Sequence, residues 1–201
     1  KNESPFRLFG LDFTQKLPGD GRLEGEVAMS RGLFSGGASD VAEEAGRGGS
    51  AFFVTLNQPL PKLFMGTLKA EFAHASEYFN NPYGATVTPG STRAMLGLEI
   101  KPFRRSVIKF NFMNEQNRTV NVDNSRTTIG ATWSQTITSK LRLNLGYDFR
   151  NLTDSLTEKT TKSNLLTIGA DWKPTDRIEF AIKREQNLGA ADPSFPNQTT
   201  F

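Results

Sequence analysis

Leu141-Arg-Leu-Asn-Leu-Gly-Tyr-Asp-Phe-Arg150 decides the fold class. Leu141, Leu143, Leu145, Tyr147 and Phe149 fall on one side of an extended chain, and Arg142, Asn144, Gly146, Asp148 and Arg150 on the other. Side chains alternate between the faces of a strand, whereas a helix cannot place five successive odd positions on one face. The stretch therefore reads as a long strand with one apolar face.

The same period recurs in ten segments, at about 5–17, 21–32, 49–60, 62–75, 91–103, 105–117, 126–137, 141–152, 164–173 and 177–188. Most run well past the five or six residues usual for strands of soluble proteins. They match the roughly 9–11 residues a tilted strand needs to cross a bilayer. Tight turns are expected at Pro18-Gly-Asp20, Pro61-Lys62, Pro102-Phe-Arg104, Thr138-Ser-Lys140 and Pro174-Thr-Asp176, because proline, glycine and aspartate favour turn geometries. Longer polar loops are expected at 33–48, 76–90, 118–125, 153–163 and 189–198. Such alternation of short and long connections belongs to outer-membrane barrels.

The fold expected is all-β: an antiparallel up-and-down meander forming a transmembrane β-barrel, with about ten strands here as part of a larger barrel. Residues 1–201 read as one barrel segment with both ends cut, and Asn197-Gln-Thr-Thr-Phe201 as the opening of another strand. A weak repeat supports growth by hairpins: Gly10-Leu-Asp-Phe13, Gly97-Leu-Glu-Ile100, Gly130-Ala-Thr-Trp133 and Gly169-Ala-Asp-Trp172.

In a membrane barrel the apolar face meets lipid and the polar face lines the lumen. The expected lumen residues are Glu99, Lys101, Lys109, Arg142, Asp148, Arg150, Asp171, Lys173, Glu179 and Lys183. Asp148 on one strand and Lys173 or Asp171 on the next are candidates for a charge network across the lumen wall, with the register left open. Aromatic residues at strand ends form the expected interfacial bands: Phe13, Trp133 and Trp172 toward the short turns, and Phe72, Phe112, Tyr147 and Phe149 toward the long loops. The alternative is a soluble lipocalin-like barrel, with the apolar face turned inward around an apolar ligand.

The segments Phe79-Asn-Asn-Pro82, Pro89-Gly-Ser-Thr-Arg93, Trp172-Lys-Pro-Thr-Asp-Arg177 and Arg184 to Thr199 resemble the barrel region of large Gram-negative outer-membrane proteins with long hairpin arrays. The resemblance covers residues 70–201. It implies an outer-membrane barrel and carries no catalytic residues with it.

Composition narrows the chemistry. With 24 basic and 21 acidic residues the net charge is +3, too even for a nucleic-acid binder. There are no cysteines, so disulfides and thiolate metal sites are excluded. The one histidine, His74, ends a strand and reads as a surface residue rather than a general base. Gly32 to Gly49 is glycine-rich but lacks the Lys-Ser/Thr ending of a phosphate loop. Asp40, Glu43 and Glu44 lack the alternating oxygen ligands of a calcium loop. Asn-x-Ser/Thr sequences at Asn2, Asn117, Asn151 and Asn197 read as loop composition. The expectation is a pore or membrane anchor in the bacterial outer membrane and not an enzyme, with neither cofactor nor metal. Its expected partners are the bilayer and other domains or subunits of its own assembly.

Overall fold

The computed structural model describes residues 6–32, 48–61, 65–81, 88–119, 121–189 and 197–200. Among them the chain forms one sheet of eleven strands in sequence order, every neighbouring pair antiparallel. The strands are β1 (Arg7–Leu17), β2 (Gly21–Arg31), β3 (Gly48–Leu60), β4 (Gly66–Ala75), β5 (Ser91–Ile100), β6 (Ser106–Thr119), β7 (Val122–Thr138), β8 (Leu141–Asp154), β9 (Lys159–Thr175), β10 (Ile178–Asn187) and β11 (Gln198–Thr200). The described residues contain no helix. Nor does the sheet close on itself, since the strand order runs from β1 to β11 without returning.

Each of the ten expected segments holds a strand, and the C-terminal stretch supplies the short eleventh. The loops differ from expectation. Two residues join β6 to β7 and four join β8 to β9, so 118–125 and 153–163 are mainly strand. The alternation of short and long connections therefore fails in this half of the sheet. Asn117 and Asn151 accordingly lie within β6 and β8. Their surroundings are polar on both faces, which reads as loop in a sequence, yet backbone pairing needs no apolar face where both sides meet water. Asn117 Nδ2 donates to Asn124 Oδ1 at 3.0 Å across the β6–β7 pair, and Asn114 Nδ2 to Thr127 Oγ1 at 2.9 Å. Nearly all of 33–48, with Asp40, Glu43 and Glu44, lies outside the described residues, as do Asn2, Lys62, Pro82 and most of 189–198.

Turn chemistry sets the other rim. Gly19 and Asp20 both take positive φ, 71° and 61°, between β1 and β2. Arg105 does so at 65° before β6, although a side chain there is strained. Bulges interrupt the register between Thr136 and Thr138 and between Ile178 and Phe180, both beside this rim.

Candidate functional site

Register decides which side chains share a face. Lys69, Gly97, Asn111, Gly130 and Asp148 form one transverse row, and Glu71, Met95, Met113, Thr128, Arg150 and Ser163 the next. On the opposite face Leu98, Phe110, Ala131, Tyr147 and Leu166 form a row. Nine of the ten residues expected to line a lumen share the polar face. Lys101 instead lies in the turn after β5, its Nζ 3.7 Å from Glu99 Oε1.

The apolar face is the exposed one. Leu143, Leu145, Ile168, Phe110, Ile178 and Phe180 are all exposed, Leu145 at 44% and Phe180 at 55%. The polar face is better covered: Thr128, Gly130, Gly146 and Ser163 are buried, and the side chains of Asp148 and Arg150 are 22% and 26% exposed. A hollow of about 450 Å³ opens there, lined from Thr55 on β3 through Glu71, Asn111 and Arg126 to Arg150 on β8. One hollow bounded by six successive strands requires the sheet to curl toward that face.

A ladder of ion pairs crosses the polar face. Arg93 binds Glu71 through Nε and Nη2, at 3.0 and 2.6 Å. Lys109 lies 3.2 Å from Glu99, Lys173 2.9 Å from Glu179, Lys183 2.6 Å from Glu185 and Arg150 3.9 Å from Asp148. Asn144 Nδ2 donates to Asp171 Oδ2 at 2.9 Å, and Asn144 Oδ1 accepts from Ser134 Oγ at 2.7 Å. The register, left open by the sequence, keeps Asp148 away from Lys173 and Asp171. Register sets Arg142 opposite Asp171 and Asp148 opposite Leu165, six residues along, or about 20 Å. Partly exposed pairs contribute about 0–1 kcal/mol each, so the ladder does little for stability. Its consequence is a charged, hydrated surface.

The aromatic residues sort unevenly. Phe13, Trp133 and Trp172 lie near the short-turn rim on the apolar face. The Phe13 ring covers Gly25, Trp133 Nε1 donates to Ser106 Oγ at 2.8 Å, and Trp172 stacks on Phe180 with centroids 5.6 Å apart. Phe72 lies near the other end of β4, 6.1 Å from Phe52. Phe112 and Tyr147 sit mid-strand, and Phe149 five residues short of the end of β8, because β6–β9 run farther than their apolar pattern does. The predicted second band at strand ends is corrected accordingly.

His74 lies on the apolar face in register with Phe52 and Thr92, its Nδ1 2.8 Å from Thr92 Oγ1. It is separated by the sheet from the charged ladder. Among the described residues no group of three or more His, Cys, Asp or Glu is placed to hold a metal, and no helix is long and apolar enough to cross a membrane.

One feature of the polar face has no counterpart in the periodic pattern of the sequence. Toward the long-connection rim the charges give way to Ala28, Ala51, Ala73 and Ala75, and Phe79, 3% exposed, packs on them. No family model matches the chain, and no curated protein matches its sequence.

Proposed function

We propose that the chain is a stretch of outer-membrane β-barrel acting as a pore or as a membrane anchor for further domains, its charged face lining the lumen. The carrying observation is that the large apolar side chains occupy the exposed face while the charged side chains share the concave one. In water, leaving Leu145, Ile168, Phe180 and their neighbours exposed forfeits about 1.5–3 kcal/mol for each. Against lipid the same exposure costs nothing.

The dimensions fit. On β8 the apolar run from Leu141 to Phe149 is about 27 Å long, at 3.4 Å per residue. At a tilt of about 40° it spans about 21 Å, close to the apolar band of about 25 Å in such barrels. Polar residues continue on both faces beyond Phe149, as they would above a bilayer. The resemblance to the barrels of large Gram-negative proteins points the same way.

The test is to express the protein in a Gram-negative host, fractionate the envelope and compare gel mobility with and without boiling. The expected outcome is recovery with outer membranes, solubility only in detergent and a mobility that changes on boiling. A soluble monomer in detergent-free buffer would overturn the reading and favour a ligand-holding barrel.

A further inference from the structure

Resting on the barrel reading above, we infer that Ser76–Asn81, the start of the β4–β5 connection, is a fixed constriction in the lumen that restricts passage to small polar solutes, anchored by Phe79.

The segment folds back over the polar face instead of continuing away from the rim. Ser76 N donates to Ser50 O at 2.8 Å, and Ser50 N donates to Ser76 Oγ at 2.9 Å. Phe79 N donates to Ser76 O at 3.1 Å, closing a tight turn. Asn80 N then reaches β2, donating to Ser30 Oγ at 2.9 Å. The turn before β5 meets the same end of the segment: Gly90 N donates to Ser76 O at 3.2 Å, and Arg118 N on β6 donates to Gly90 O at 2.7 Å. β3 thus holds the segment at Ser76 and β2 holds it at Asn80.

The sheet is shaped to receive it. Ala28, Ala51 and Ala75 stand in one transverse row and Ala73 in the next, with Leu8 and Phe53 packed beside Phe79. Elsewhere this face carries long charged side chains such as Lys69, Glu71 and Arg150, interspersed with smaller polar residues, whereas at the seat four alanines leave the Phe79 ring room. Gly49 is required too. A Cβ there would run into the backbone of Tyr78 and Phe79, which cannot yield as a flexible side-chain tip can. This is the largest buried apolar cluster among the described residues, and it holds a connection against a surface that would otherwise be open to solutes. Pore size sets which solutes pass.

Single-channel conductance in planar bilayers tests this, with polyethylene glycols of graded size reporting the limiting diameter. The proteins compared are the wild type, Gly49→Ala, Phe79→Ser and, as a control at an exposed turn, Phe103→Ser. Gly49→Ala and Phe79→Ser should each raise conductance about twofold or more and admit larger polymers, whereas Phe103→Ser should change neither. A silent wild type means full occlusion, and the two variants must then conduct. Unchanged conductance and polymer cut-off in both variants, with boiling-dependent mobility intact, would overturn the constriction alone. Failure of the wild type to enter membranes would overturn the barrel reading and this inference with it.

Discussion

Leu145 and Asn144 are adjacent, yet the sheet sends one to the exposed apolar face and the other to the polar face, where Asn144 bridges Ser134 and Asp171. On the proposed barrel reading, an arginine at 145 would face hydrocarbon near mid-band, at a cost of about 2–4 kcal/mol. Leu145→Arg should therefore sharply reduce the amount of folded protein in membranes, while Asn144→Arg should accumulate near normal levels. Boiling-dependent mobility of the membrane fraction reads both, and equal losses would mean that the two faces do not differ in environment. At this scale face assignment was legible in the sequence, because period two needs no register. Partnership was not: which carboxylate meets which base depends on strand offset, so Asp148 joins Arg150 instead of Lys173. The alanine seat was illegible for another reason. Alanine suits either face, so Ala28, Ala51, Ala73 and Ala75 carried no periodic signal, and only their replacement of charges on one face marked the site.

Elements extend the contrast. The β8–β9 hairpin continues past its apolar run and closes through Asp154, whose Oδ1 accepts from Leu156 N at 3.0 Å and Thr157 N at 3.3 Å. The Thr157 hydroxyl, with these two amides, outweighs slight desolvation and holds the carboxyl below its ordinary value. A carboxyl depressed on folding contributes its stabilisation above the unfolded pKa of about 3.9 and loses it as pH falls through the lower folded value. The 155–158 turn should thus loosen only under strong acid. Amide exchange at Leu156 and Thr157 should be slow at neutral pH in the wild type and fast in Asp154→Ala at every pH. An identical pH response in the two proteins would remove Asp154 from the turn's support. Strand existence was legible for all ten long elements, but their ends were not. Asn, Gln, Ser and Thr in β6–β9 look like loop because these tips carry no alternating apolar face, the signal by which a sequence marks a strand.

Across the whole molecule the two tryptophans, Trp133 and Trp172, sit on the apolar face near the same rim. In bilayers their fluorescence should be quenched strongly by lipids brominated close to the headgroup and weakly by lipids brominated near the chain ends, as expected of interfacial aromatic residues. Quenching independent of bromine depth, or none, would place the rim outside the interface.

Direction of travel sets a last condition. In an antiparallel meander odd-numbered strands all run one way, so β1 and β11, the two borders of the sheet, point in the same direction. Were those borders joined directly, the seam would be a parallel ladder, with evenly spaced, slanted hydrogen bonds unlike those of any other pair in the sheet. Sealing it in the manner of the other pairs takes one further strand, or another odd number, between β11 and β1.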